Sequence, residues 1–127
     1  MAFTHYNGFS FDLEGNGKKI TKDRVDKVLE FTDGSNEWNI IEEVLEVEDG
    51  NIILMGDNED PWRYNYADEV LHLMITLQEE LDFTFKGEFV WMSDDYQNSY
   101  TNTYTFDGSG DYDEEFEEEE HEWYEDE

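Results

Sequence analysis

The chain has 127 residues, and its 36 Asp and Glu outnumber seven Lys and Arg to give a formal net charge of −29. Charge of this sign excludes nucleic acid and anionic membranes as direct partners, because two polyanions repel each other and release no counterions. Four Trp, eight Tyr and nine Phe predict a folded domain rather than a disordered chain, and the absence of Cys excludes disulfides and thiolate metal sites.

The first half of the chain predicts a strand, a helix and two further strands. Apolar and polar residues alternate from Phe3 to Leu13, which indicates a strand. Thr21 is placed to cap a helix that ends near Gly34. The run WNIIEEVLEVEDGNIILMGD then predicts two strands joined at Asp49-Gly50, a dipeptide that suits a tight hairpin turn.

The second half predicts one helix followed by two strands. Apolar residues recur at spacings of three and four from Tyr66 to Leu81, which indicates a helix, and the continuous run LHLMITL leaves a strand as the alternative. The next strand has an aromatic face made of Phe83, Phe85, Phe89 and Trp91. After the polar loop SDDYQNS, the last strand places Tyr100, Tyr104 and Phe106 on one face and three threonines on the other.

These elements predict an α+β fold with the order βαββαββ. We expect a single antiparallel sheet of about five strands, with two helices packed on its aromatic face and the other face in contact with water. The predicted domain covers residues 1–106, and residues 107–127 are predicted to be an acidic tail that is disordered, with a frayed helix as the alternative.

The negative charge is divided between the body and the tail. Residues 1–27 have a net charge of +1, residues 28–106 carry −17, and residues 107–127 carry −13 with no basic residue. The bases of the first segment are Lys18, Lys19, Lys22, Arg24 and Lys27. We expect these bases to pair with neighbouring acids across the sheet or to lie on a face turned away from a partner, and a second interface is the alternative.

Aromatic residues distinguish the tail from a purely solvating segment. Phe116, Trp123 and Tyr124 are interleaved with acids, a pattern typical of segments that become ordered on a basic partner. A solvating tail with no partner is the alternative interpretation.

The sequence predicts no catalytic residues, no cofactor and no specific metal site. His5, His72 and His121 lie in three different segments, and the GNG triplet lacks the rest of a nucleotide-binding motif. The acids from Asp107 onwards match the spacing of a calcium-binding loop, but Tyr112 stands where the sharp turn needs glycine. Only weak, nonspecific binding of divalent cations by the tail is therefore expected.

Acidic side chains on the folded elements form the predicted binding surface. Glu42, Glu46 and Glu48 are predicted to form a row on one strand face, with alternate residues roughly 6.5–7 Å apart, close to the spacing of successive phosphates in DNA. A rigid row of this kind gains the counterion release that DNA itself would gain on a basic surface. The candidate partner-binding residues are Glu42, Glu46, Glu48, Asp57, Glu59, Asp60, Asp68, Glu69, Asp94, Asp95, Asp113, Glu114, Glu115, Phe116 and Trp123.

In its small size, lack of Cys, extreme acidity on an aromatic-rich chain and terminal segment EEFEEEEHEWYEDE, the chain resembles phage-encoded DNA-mimic inhibitors, the anti-restriction and anti-CRISPR proteins. The resemblance lies in composition and tail, without an aligned motif. It implies a stoichiometric, non-catalytic inhibitor that binds a basic protein surface, the nucleic-acid-binding channel of a host defence complex.

Three alternative interpretations remain. One is an immunity protein that neutralises a basic nuclease toxin, and another is an acidic, chaperone-like binder of basic nucleic-acid-binding proteins. Adaptation to high salt is the third, although the many aromatics and only two alanines argue against it. Because no signal-peptide pattern or long apolar run is present, the expected location is the cytoplasm, that of a host bacterium if the gene belongs to a phage.

Overall fold

Six strands and three helices form an α+β fold in the part of the chain that the structure describes. This structure is a computed structural model that describes residues 6–30, 34–57, 65–94 and 98–120. The elements in chain order are β1 (Tyr6–Asn16), α1 (Lys22–Leu29), α2 (Asn36–Val44), β2 (Leu45–Glu48), β3 (Asn51–Asp57), α3 (Ala67–Leu81), β4 (Phe85–Asp94), β5 (Asn98–Asp107) and β6 (Tyr112–Glu120). The predicted fold class is confirmed, and the predicted number of elements is roughly right.

The strands form one open antiparallel sheet in the order β2-β3-β1-β4-β5-β6. The first strand of the chain therefore lies inside the sheet, between β3 and β4. In this register Phe9 lies opposite Trp91, and Phe11 lies opposite Phe89. Side chains opposite each other in an antiparallel pair share one face of the sheet, so these aromatics all point to the same side.

The hydrophobic core lies between this aromatic face and the helices. The rings of Phe11 and Phe89 stack at 4.6 Å, and those of Phe89 and Tyr104 stack at 5.4 Å. All three helices contribute buried residues to the same core, among them Val25 of α1 and Met74 of α3. The prediction that the helices cover the aromatic face is confirmed.

Polar side chains define where the helices begin. The Arg24 amide donates a hydrogen bond to Thr21 Oγ1 at 3.2 Å, so Thr21 caps α1 as predicted. The Ala67 amide donates to Asn65 Oδ1 at 2.8 Å at the start of α3.

Within the described ranges no helix is long and apolar enough to cross a membrane.

The prediction of a strand at WNIIEEV is wrong, because this run forms helix α2. Ser35 Oγ accepts a hydrogen bond from the Trp38 amide at 3.2 Å and so caps the helix. Ile40, Ile41 and Val44 are then buried together at helical spacing. Packing of this face outweighs the strand preference of the β-branched residues.

The predicted hairpin turn is confirmed, although its first strand is only four residues long. Asp49 and Gly50 have φ values of 50° and 80°, the positive angles that a two-residue turn of this type requires.

A second glycine is required in the sheet centre. Gly87 has φ of 131°, and a Cβ atom there would lie 2.0 Å from the carbonyl oxygen of Asp12.

Residues 112–120 form strand β6 instead of the predicted disordered tail. The strand pairs with β5 from Tyr112 opposite Phe106 to Glu120 opposite Asn98. Backbone pairing and ring contacts between Tyr112 and Phe106, with centroids 5.4 Å apart, compensate for repulsion among the acids. The high charge also suits an edge strand, because it opposes pairing with another copy.

Candidate protein-binding surface

The face of the sheet opposite the helices is strongly acidic. We call it the open face, and its members follow from the strand register. Its charged residues are Asp12, Glu14, Glu46, Glu48, Asp57, Lys86, Glu88, Asp94, Asp107, Asp113, Glu115, Glu117 and Glu119. Lys86 is the single base of this face within the described residues, so the open face carries a strong negative field.

The longest row of acids on the open face runs along β6. Its members are Asp113, Glu115, Glu117 and Glu119. Alternate residues of a strand lie roughly 6.5–7 Å apart, so the row extends over about 20 Å. Each acid lies opposite a hydroxyl residue of β5, namely Thr105, Thr103, Thr101 and Ser99. The edge of the open face is therefore a regular line of carboxylates beside a line of hydroxyl groups.

The other edge carries a shorter row. Glu46 and Glu48 of β2 lie opposite Ile53 and Asn51 of β3, so the prediction that these two acids share one strand face is confirmed. The prediction that Glu42 belongs to this row is wrong. Glu42 lies on α2, where its exposed side chain follows helical rather than strand geometry.

Apolar side chains lie between the two acidic edges. Met55 of β3 is 60% exposed and Met92 of β4 is 41% exposed, both on the open face. Exposed methionines provide adaptable contact area on protein-binding surfaces. The open face therefore combines charge with apolar contact area.

The structure divides the remaining candidate residues between the two sides of the sheet. Asp57 and Asp94 join the open face. Asp68 and Glu69 lie in the first turn of α3, on the side of the helices. Glu59, Asp60, Asp95 and Trp123 lie outside the described residues.

The candidates on β6 also divide by side. Asp113 and Glu115 belong to the open face, whereas Glu114 and Phe116 point to the side of the helices. Glu114 Oε2 accepts a hydrogen bond from Asn102 Nδ2 at 2.8 Å. The two sides of this strand therefore present different chemistry, one purely acidic and one aromatic and acidic.

The pKa of Tyr104 is raised in part by negative charge on the side of the helices. Burial of its hydroxyl, followed by the charges of Glu114 and Asp68 and a hydrogen bond with Glu114, raises the pKa of Tyr104 from 10.0 to about 12. A phenol becomes harder to ionise where negative charge already surrounds it. A carboxylate of β6 and a carboxylate of α3 therefore both raise the pKa of the same hydroxyl group.

Hydrogen bonds fix the start of β6 to the body. The buried Gln78 accepts from the Phe85 amide at 2.8 Å and donates through Nε2 to the carbonyl oxygen of Gly110 at 3.4 Å. Thr84 Oγ1 donates to the carbonyl oxygen of Gly108 at 2.7 Å. The hydroxyl and amide of Ser109 donate to Asp107 and lower the pKa of that carboxyl. The acidic row therefore starts from an anchored loop.

The basic residues of α1 lie away from the open face. Lys22 and Asp26 form an ion pair on one turn of the helix. Arg24 and Lys27 line an open cleft between α1 and α3, where Glu80 contributes to the wall. Lys22 therefore pairs with an acid of its own helix rather than across the sheet. That the bases face away from a partner stays a prediction.

Sequence reasoning missed several acids of the open face. Asp12, Glu14 and Glu88 alternate with buried residues of β1 and β4, and this alternation was the available signal for them. Glu117 and Glu119 had no such signal, because in EEFEEEE the acids occupy both strand faces.

No protein-family model matches the chain, and no match is found among the curated proteins or the solved structures. Among the described residues, no group of three or more His, Cys, Asp or Glu is arranged to hold a metal ion. The geometry of the two sides of the sheet is therefore the basis for the functional proposals that follow.

Proposed function

We propose that the protein is a non-catalytic inhibitor that imitates the charge of DNA and occupies the positively charged nucleic-acid-binding channel of a host defence complex, a CRISPR effector or a restriction enzyme. The observation that carries the proposal is the regular row from Asp113 to Glu119 on an open face with one base among its described charges. Fixed spacing distinguishes such a row from the diffuse charge of a flexible acidic chain.

Counterion release provides the driving force. DNA releases its condensed cations when a basic channel neutralises its phosphates, and a row of carboxylates at similar spacing releases its own cations in the same way. The affinity of the complex should therefore fall as the salt concentration rises. Met55 and Met92 add apolar contacts that depend little on salt.

Anchoring by Gln78 and Thr84 supports the proposal, because a mimic must present charge in a defined geometry. A flexible tail loses conformational entropy when it becomes ordered on binding, whereas a paired strand is already ordered and loses little more. The edge position of β6 also leaves its open-face acids accessible along the whole row.

Competition with DNA tests the proposal. Labelled duplex DNA is bound to each member of a panel of restriction enzymes and CRISPR effectors, and the purified protein is titrated in while fluorescence anisotropy is measured. We expect displacement from at least one complex, with weaker competition at higher salt. Absence of displacement across the panel, or competition independent of salt, would show that the protein does not act as a DNA mimic.

Two variants of equal net charge separate geometry from total charge. The first replaces Asp113 by Asn and Glu115, Glu117 and Glu119 by Gln. The matched control replaces four exposed glutamates on the side of the helices, Glu42, Glu69, Glu79 and Glu80, by Gln. We expect the first variant to compete about tenfold or more less well, because four charge pairs are lost, and the control to change far less. Equal effects of the two variants would show that β6 contributes only to the total charge and that the geometry of its row does not matter.

The same assay addresses the alternative of an immunity protein. An immunity protein would inhibit one nuclease toxin and leave the defence complexes bound to DNA. Testing basic nuclease toxins beside the panel therefore decides between the two functions by which class of enzyme responds.

A further inference from the structure

A second surface lies on the side of the sheet that faces the helices, where β5 and β6 meet. We call it the aromatic ledge, and it consists of Tyr100, Asn102 and Tyr104 of β5 with Tyr112, Glu114, Phe116 and Glu118 of β6. The acids of the open face point the other way. The ledge is therefore separate from the surface to which the DNA-mimic proposal refers.

Exposed aromatic rings are the first distinguishing feature of the ledge. Phe116 is 56% exposed and Tyr112 is 36% exposed, whereas Phe9 and Phe89 of the core are fully buried. The Phe116 ring stacks on Tyr100 with centroids 6.0 Å apart and planes 21° apart. One face of Phe116 is thus supported by the sheet, and the exposed remainder is held in place without being covered by the described residues.

Negative charge around this ring is the second feature. Glu114 and Glu118 lie two residues before and after Phe116 and point to the same side of β6. Asn102 Nδ2 holds the Glu114 carboxylate at 2.8 Å, and Asp68 of α3 adds its charge near Tyr104. The ledge thus combines a fixed aromatic ring with carboxylates on both sides.

A guanidinium group matches this combination better than an ammonium group does. Its planar cation stacks on an aromatic face, and its paired N–H groups bind a carboxylate at two points. A lysine ammonium gains the charge attraction but lacks the stacking plane and the paired donors. The chemistry of the ledge therefore selects for arginine.

We propose that the aromatic ledge binds an arginine-bearing, basic segment of a protein partner, with a guanidinium seated on Phe116 between Glu114 and Glu118. Charge complementarity selects this occupant. A second copy of the chain would place acids against acids, and nucleic acid or an anionic membrane would be repelled. This inference goes beyond the proposed function, because it concerns the opposite side of the sheet and does not require that the partner bind DNA.

Two peptides of equal charge test the proposal. They have the same sequence except that one carries arginine wherever the other carries lysine, and both carry a fluorescent label for anisotropy titrations with the full chain at physiological salt. We expect the arginine peptide to bind about fivefold more tightly, a difference of about 1 kcal/mol that the stacking plane and paired donors of the guanidinium provide beyond the charge attraction shared with lysine. Equal affinity for the two peptides would overturn the proposal, because net charge alone would then explain binding.

The variant Phe116→Ala tests whether the preference for the arginine peptide arises at the aromatic ledge. We expect this variant to lose the preference for arginine, whereas the control Met92→Ala, which removes an exposed apolar side chain from the open face, should keep it. A preference that persists in Phe116→Ala would show that arginine binds elsewhere and would overturn the assignment.

A second variant distinguishes the loss of the aromatic ring from the loss of pairing between β5 and β6. Phe116→Leu keeps an apolar side chain against Tyr100 but has no aromatic ring, and amide hydrogen exchange across β5 and β6 shows whether the strand stays paired. Loss of the arginine preference with exchange unchanged supports the proposal, and retention of the preference overturns it. The DNA competition assay run on the same variants separates the two proposals, since we expect Phe116→Leu to leave that competition unchanged.

Discussion

Asp12 of β1 and Glu88 of β4 lie directly opposite each other on the open face, at the centre of the sheet. Like charges in such positions destabilise a strand pair. On the other side of the same two strands, Phe11 and Phe89 stack at 4.6 Å. The aromatic core therefore holds together two carboxylates that repel each other.

Removing one of these charges should stabilise the protein. We expect Asp12→Asn to raise the free energy of unfolding by about 0.2–1 kcal/mol at low salt, with a smaller gain at high salt, because the repulsion across the strand pair is relieved. Urea unfolding at two salt concentrations measures the change. The matched control is Glu14→Gln, which removes the acid opposite Lys86 and should give no gain. Destabilisation by Asp12→Asn would show that the carboxylate makes a favourable contact that outweighs the repulsion.

The raised pKa of Tyr104 predicts a loss of stability in alkali. The unfolded chain releases this proton near pH 10, whereas the folded protein keeps it until about pH 12. The unfolded state binds fewer protons between these values, so the free energy of unfolding declines as the pH rises from about 10 to about 12. Denaturant titrations across this range measure the decline, and Tyr104→Phe should reduce it.

Glu114→Gln provides the complementary test of the cause. Because the Glu114 charge contributes to the raised pKa, its removal should move the Tyr104 titration towards ordinary values. The difference in ultraviolet absorbance between this variant and a double variant with Tyr104→Phe isolates the titration of Tyr104. An unchanged pKa would mean that burial and the remaining charges, Asp68 among them, account for the shift without Glu114.

Gln78 should matter for both the core and the acidic row. Gln78→Leu leaves the Phe85 amide without its acceptor and removes the bond to Gly110, so we expect a loss of about 1–3 kcal/mol in the free energy of unfolding. Amide hydrogen exchange at the start of β6 should also be faster in Gln78→Leu than in the parent, and it should increase more there than in β1. Glu79→Ala, at the exposed neighbouring position, should stay within about 0.5 kcal/mol of the parent. Equal exchange in β6 of parent and Gln78→Leu would show that the loop is held by other contacts.

The sequence was sufficient for elements in which one strong pattern dominates. The spacing from Tyr66 to Leu81 identifies α3, and Asp49-Gly50 identifies the hairpin turn, because each depends on local chemistry. The run WNIIEEV was misread because its β-branched residues suit both a strand and a buried helix face. Capping by Ser35 decides between these in the structure, and Ser35 was not included in that prediction.

The binding surfaces were predictable only in part, because they depend on register. Acids of the tail were identified as candidates, but a charge-rich segment gives no signal for the strand with which it pairs. Pairing of Phe116 with Asn102 assigns Glu114 to one side and Glu115 to the other. A shift of one residue would exchange the two sets, and composition alone cannot distinguish these registers.

The position of β1 inside the sheet has a consequence for synthesis on the ribosome. Of the six described strands this one is made before the others, and its neighbours β3 and β4 follow it, so its edge towards β4 stays unpaired until residue 94 has been translated. Such unpaired apolar strands are prone to associate with other nascent chains. Residues 28–94 add an excess of acids to the near-neutral first segment, so chains translated towards the end of β4 are negatively charged and neighbouring chains on one messenger repel one another before the centre of the sheet is complete.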